Sequence, residues 1–152
     1  MYHKAKLHFK KVDPTLYRAA LKYAIEDVRV SGTLFHDIVN TIIGQQLSGK
    51  AADTIADRFH TLFRKGMLTP TTTLALRETA MRGCGLSGAK IRAIRNLAHK
   101  VECGELDLAT LPAMKDEDVV AELTTVKGIG PWTAEMVLMF SLGRVDVFSK
   151  GD

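Results

Sequence analysis

The chain is 152 residues long, enough for one domain, or for one domain with a fragment of another. Its 46% hydrophobic and 25% charged residues are those of a globular protein with a real core, and its net charge of +4 permits nucleic-acid binding without demonstrating it. No apolar run approaches the length of a bilayer span and MYHKAKLHFKK lacks the apolar stretch of a signal peptide, so the expectation is an intracellular protein with no membrane partner.

Asp13-Pro14-Thr15 opens the first expected helix, with Asp13 as N-cap and Pro14 at N1, running through Leu16, Ala20, Tyr23 and Ala24 and ending before Ser31-Gly32. From Thr33, the residues Leu34, Phe35, Ile38, Val39, Ile42 and Ile43 recur at helical spacing over a face wide enough for a central buried helix, closed by Gly44-Gln45-Gln46-Leu47-Ser48. Gln45 and Gln46 are the residue type that ties off a helix end with amide hydrogen bonds. A third amphipathic helix carries Ala51, Ala52, Ile55, Ala56, Phe59, Leu62 and Phe63 and stops near Lys65-Gly66. TPTTTLALRETAMRGCG predicts a polar turn and a short helix. Ser87 then caps a helix that points Ile91, Ile94, Leu97, Ala98 and Val101 inward, with Lys90, Arg92, Arg95 and Lys100 on an outer face that is ordinarily just solvated. DLATLPAMKDED is a connector containing Pro112.

Cys84 and Cys103 are isolated from each other and from any histidine pattern, which points to reduced, buried thiols, and the five histidines show no ligand spacing. VDVF, at 145–148, is the one brief strand-like run, and no repeat occurs at solenoid periods, so the fold class is all-α.

The most informative stretch is 123–152, LTTVKGIGPWTAEMVLMFSLGRVDVFSKGD. Val119, Val120, Leu123 and Val126 place a short amphipathic helix before Gly128-Ile129-Gly130. Two glycines around one apolar residue let the backbone turn tightly and leave no side chain between it and a ligand, while Ile129 plugs the turn into the core. Pro131 suits the first position of a second helix, whose free N–H groups and positive dipole end then face the glycines, where phosphate is the natural occupant. A phosphate-binding loop of the nucleotide-hydrolase type would need Lys-Ser/Thr after the second glycine, and a dinucleotide fingerprint would need a preceding strand and a third glycine, where Thr133 stands. An ordinary αα turn is the plainer alternative for the hairpin alone.

VKGIGPWTA followed by GRVDVFSKGD resembles the helix-hairpin-helix DNA glycosylases with a Gly/Pro-rich loop and an aspartate, closest to the 3-methyladenine DNA glycosylase II branch. The resemblance recurs in IIGQQLS and its alanine-rich successor, and spans about 13–152. It implies one helical domain over 1–152 with its helix-hairpin-helix at about 116–142. It also implies a monomer that holds damaged double-stranded DNA through Lys127, Gly128, Ile129, Gly130 and Thr133. A structural monovalent cation on the carbonyls of Thr124, Val126 and Ile129 follows from the same resemblance, with no other cofactor. Gln46 falls at the position that wedges into the duplex. Asp152, twenty residues after Trp132, falls at the catalytic aspartate, and Asp146 belongs to the D-V-F before it.

Lyase-competent relatives carry a lysine where Trp132 stands, and an indole cannot form a Schiff base, so the resemblance implies a monofunctional hydrolase. Trp132 and Met136, one helical turn apart, are the expected base pocket, although for Met136 and Met139 ordinary core packing is the better reading. The expected function is excision of alkylated, 3-methyladenine-type bases from flipped-out nucleotides. A glycosylase for uracil or mismatched bases is a variant of it, and a non-catalytic DNA-binding module is the alternative. Because relatives continue into further helices while this chain stops at Asp152, the expectation is a truncated member lacking the C-terminal helices, with weak or absent turnover alone.

Overall fold

The computed structural model describes residues 2–23 and 33–149, and every regular element among them is helical. The first is α1, His3–Val12, followed by α2, Pro14–Lys22. Asp13 caps α2 as expected, its carboxylate accepting from the N–H groups of Thr15 at 3.0 Å and Leu16 at 2.9 Å. The helix ends at Lys22, with Tyr23 already extended, and the expected continuation through Ala24 toward Ser31 falls outside the described residues. Helix α1 was not anticipated. It buries no side chain, and four lysines break any apolar face that would have marked it.

The centre of the molecule is α3, Leu34–Gly44. Phe35, Ile38, Val39, Ile42 and Ile43 repeat at the i, i+3, i+4, i+7, i+8 spacing of one helix face, and the four β-branched residues among them have no exposed surface. Branched side chains lower helix propensity by tenths of a kcal/mol each, whereas burying one such side chain contributes roughly 1.5–3 kcal/mol, so packing decides the conformation. Helix α3 packs on α4 (Gly49–His60), α7 (Gly88–Glu102) and α9 (Pro131–Phe140).

Between α4 and α7 the chain makes a 3-10 turn at Arg64–Gly66 and two short helices, α5 (Pro70–Leu74) and α6 (Glu78–Gly83), both resting on α7. The stretch expected to be a polar turn is therefore helical. Thr69 and Thr72 form a reciprocal capping box around Pro70, and this local hydrogen bonding starts a helix that apolar periodicity does not signal. The stop near Lys65-Gly66 occurs, but α4 itself ends at His60, and Phe63 reaches the core from the following turn.

Helix α7 is capped by Ser87, whose hydroxyl accepts from the Lys90 N–H at 3.3 Å, and it buries Ile91, Ala93, Ile94, Leu97 and Ala98. Its cations do not form one solvated face. At 100° per residue Lys90 and Arg92 point to opposite sides. Accordingly Lys90 donates to the Ile43 carbonyl at 2.8 Å, Arg95 to the Leu76 carbonyl, and Lys100 pairs with Glu105 at 2.9 Å. Cys84 is a buried free thiol and burial pushes it up, but Cys103 is exposed, contrary to the expectation of two buried thiols. Helix α8, Asp116–Thr124, packs against α9, and residues 145–148 form no strand. No helix among the described residues is long and apolar enough to cross a membrane.

Candidate nucleic-acid interface

The α8–α9 hairpin is built from its glycines. The chain leaves α8 through N–H donations from Val126 to the Leu123 carbonyl at 3.1 Å and from Ile129 to the Val126 carbonyl at 3.0 Å. Gly128 has φ +94°, and a Cβ added there would lie 2.8 Å from the Ala93 Cβ of α7. Glycine is needed twice over, for the dihedral and for the close approach. Ile129 is buried, as the plug it was expected to be, and Gly130 is the extended N-cap of α9 with Pro131 at N1. The N–H groups of Gly128, Gly130, Trp132 and Thr133 donate to none of the described residues, and the positive end of α9 stands behind them.

Three long-range hydrogen bonds hold this hairpin against α3 and α7. The Gln45 amide nitrogen donates to the Gly128 carbonyl and to the Thr133 hydroxyl, each at 3.0 Å. From α7, the Asn96 side-chain oxygen accepts from the Lys127 N–H at 2.8 Å. Gln45 therefore ties off the hairpin rather than its own helix. A type II turn follows α3, closed by the Leu47 N–H on the Gly44 carbonyl at 3.1 Å, with Gln46 in its third position at φ +54°. A left-handed glutamine costs on the order of 1 kcal/mol and presents that side chain outward beside the hairpin.

A cleft of about 360 Å³ results, lined by Gln45, Gln46, Ser87, Lys90, Gly128, Gly130, Trp132 and Thr133. Partial burial pulls the Lys90 ammonium below the ordinary lysine range. The Trp132 ring is half-buried in the cleft wall, with its indole N–H inside and unpaired among the described residues. Met136, half-buried on the next turn of α9, is not among the lining residues. Asp152 lies outside the described residues. Of the three carbonyls expected to hold a cation, Val126's accepts from Ile129 N–H, while those of Thr124 and Ile129 accept from none of the described residues. That leaves free oxygen donors suited to a hard monovalent ion.

Sequence reasoning expected the hairpin, Trp132 and Gln46 here, and Ser87 only as a helix cap, but missed Gln45 and Lys90 as cleft-lining groups and Asn96 as a fastener of the hairpin. Nothing local marks those three, since the partners of their side chains are distant in sequence.

DNA-3-methyladenine glycosylase 1 of Schizosaccharomyces pombe is 33% identical over 120 residues, covering 78% of this chain and 53% of that protein. The crystal structure of a DNA-3-methyladenine glycosidase from Bacillus halodurans superposes with a TM-score of 0.83 at 35% identity, over 99% of this chain and 70% of that one. A Schizosaccharomyces pombe 3-methyladenine DNA glycosylase in complex with abasic DNA superposes with a TM-score of 0.81 at 28% identity, over 98% and 75% of the respective chains. This chain spans about half the length of the curated relatives it matches. The family model of the HhH-GPD superfamily base excision DNA repair proteins matches residues 39–152, three quarters of the sequence and both of its glycine-bearing blocks, and the chain therefore belongs to that family.

Proposed function

We propose that this protein is a monofunctional DNA glycosylase of base excision repair, which hydrolyses the N-glycosidic bond of alkylated, 3-methyladenine-type bases flipped out of damaged duplex DNA. The observation that carries the reading is the single cleft in which Gln46, the unpaired amides of the hairpin and the Trp132 ring meet. Similarity to relatives named for 3-methyladenine excision supports the substrate class.

Backbone amides at Gly128, Gly130 and Thr133 grip one strand's phosphates without reading sequence, so selectivity resides in the extruded nucleotide. A monovalent ion on the carbonyls of Thr124, Val126 and Ile129 would add a positive charge beside that phosphate. Lys127, exposed at the hairpin tip, adds a further cation. Gln46 occupies the space the base vacates and hydrogen-bonds its orphaned partner. Trp132 stacks on the flipped base, and a cationic alkylpurine over an indole face gains about 0.5–2 kcal/mol depending on desolvation. Met136, one helical turn after Trp132 and outside the cleft lining, is read as packing.

The alkylated base carries its own positive charge and leaves with the glycosidic electron pair as a neutral molecule, so little acid catalysis is required. Positive charge then builds on the sugar. Asp152, assigned by its place in the family pattern, stabilises that charge and takes a proton from the attacking water as its oxygen bonds to the anomeric carbon.

The test is incubation with duplexes bearing ethenoadenine, a 3-methyladenine analogue or uracil, followed by hot alkali. Strand cuts only after alkali, restricted to the alkylated duplexes and lost in Asp152→Asn and Trp132→Ala, are expected. Cuts without alkali would overturn the hydrolase assignment, and duplex binding with no abasic product, from this chain and from a C-terminally extended version alike, would make it a DNA-binding module.

A further inference from the structure

About 9–15 Å along α7 from Ala93, which lines the cleft, at 1.5 Å per residue, the last turn of that helix carries a cluster the repair reading does not use. His99 and Cys103 are one turn apart on the same face, with Nδ1 and Sγ 3.7 Å from each other. Gly104 follows at φ +76°, reversing the chain so that Glu105 folds back over the helix end, and the Leu106 N–H on the Lys100 carbonyl at 3.0 Å fastens the reversal. One ligand atom from each of His99, Cys103 and Glu105 lies within 4.8 Å of the others, and all three side chains are exposed.

We propose that His99, Cys103 and Glu105 form a binding site for a borderline-soft divalent transition metal, of which Zn²⁺ is the natural occupant. The donor set decides the class. An imidazole nitrogen, a thiolate and one carboxylate match three-ligand zinc sites completed by water, whereas calcium and magnesium require sets of oxygens. The negative end of the α7 dipole also favours a cation there.

At present the Lys100 ammonium holds the Glu105 carboxylate at 2.9 Å and, through that hydrogen bond first, keeps it below the usual carboxylate range. A metal ion would displace this ammonium from the same oxygen. Lys100 is thus the built-in competitor, and its removal strengthens binding. The site is independent of the glycosylase reading, since none of its residues lines the cleft.

The test is Co²⁺ titration of the full chain under reducing conditions, read by the thiolate-to-cobalt charge-transfer absorption, with Zn²⁺ as displacing ion. The expected result is a band saturating at one equivalent and abolished by Zn²⁺. Cys103→Ala and His99→Ala should remove it while keeping the helical circular dichroism, Cys84→Ala should retain it, and Lys100→Gln should tighten binding several-fold. No band, or one that survives either Cys103→Ala or His99→Ala, overturns the proposal.

Discussion

The sharpest consequence of the hairpin geometry concerns Gly128→Ala. Two costs add. A non-glycine residue at φ +94° is strained by on the order of 1–3 kcal/mol. Separately, the new methyl would sit 2.8 Å from the Ala93 Cβ, where carbon pairs prefer roughly 3.5–4.0 Å. The Ala93 Cβ has no torsion that could move it, and it lies on the buried face of α7, so hairpin and α7 must separate at a cost of about 1–3 kcal/mol. The sum, about 2–6 kcal/mol, is a large share of the 5–15 kcal/mol typical of a domain.

The assay is urea unfolding of wild type, Gly128→Ala, Ala93→Gly and the double variant. Ala93→Gly alone should cost about 1 kcal/mol or somewhat more, from helix propensity and a lost buried methyl. In the double variant the steric part vanishes while the dihedral strain stays, giving a favourable coupling of about 1–3 kcal/mol. Additive effects within about 0.5 kcal/mol, or a Gly128→Ala variant destabilised by less than about 1 kcal/mol, would refute the close-approach argument.

Gln45→Ala removes both donations that fasten the hairpin and should weaken binding to abasic duplex about tenfold, about 1.4 kcal/mol, measured by fluorescence anisotropy. Gln45→Glu should be worse, because a carboxylate would face the Gly128 carbonyl; equal affinities for all three proteins would remove Gln45 from the site. On the opposite face of α3, the Asn40 amide bridges His36 and His60, whose rings stack at 4.6 Å. Burial first, and the neighbouring His36 second, lower His60 from its ordinary 6.5, against an opposing pull from Asp57. The folded state then binds fewer protons than the unfolded one, so stability is whole above pH 6.5, declines as pH falls toward the folded value and levels off below it. His60→Gln should flatten that slope in thermal melts between pH 5 and 8, and an unchanged slope would assign the acid sensitivity elsewhere. Replacing Arg144, which donates to the carbonyls of Pro112 and Met114 at 2.8 and 2.9 Å, with alanine should free the connector before α8 and increase amide exchange there without changing duplex affinity.

Much of this protein is determined locally and is legible in the residues themselves. The periodic apolar faces of α3, α4 and α7 report burial directly, because a helix must turn one stripe toward the core whatever its neighbours are. The caps Asp13 and Ser87 and the first-turn Pro131 mark boundaries by chemistry confined to a single turn. The paired glycines state that the backbone bends sharply between α8 and α9. Where the apolar stripe is missing, as in the lysine-rich α1 and the threonine-capped α5, helices went unseen.

What only the tertiary structure decided are relations between side chains far apart in the chain. Gln45 and Gln46 are chemically the same and adjacent, yet one fastens the hairpin and the other is exposed and turned outward beside it, because the turn gives them different backbone dihedrals. Lys90 and Lys100 share a helix, yet one reaches the Ile43 carbonyl and the other Glu105. Periodicity states which side of a helix is buried; it carries no information about which atom of another helix lies across from it. The contact of Gly128 with Ala93, on which the cleft depends, exists only once α7 and the hairpin have packed together.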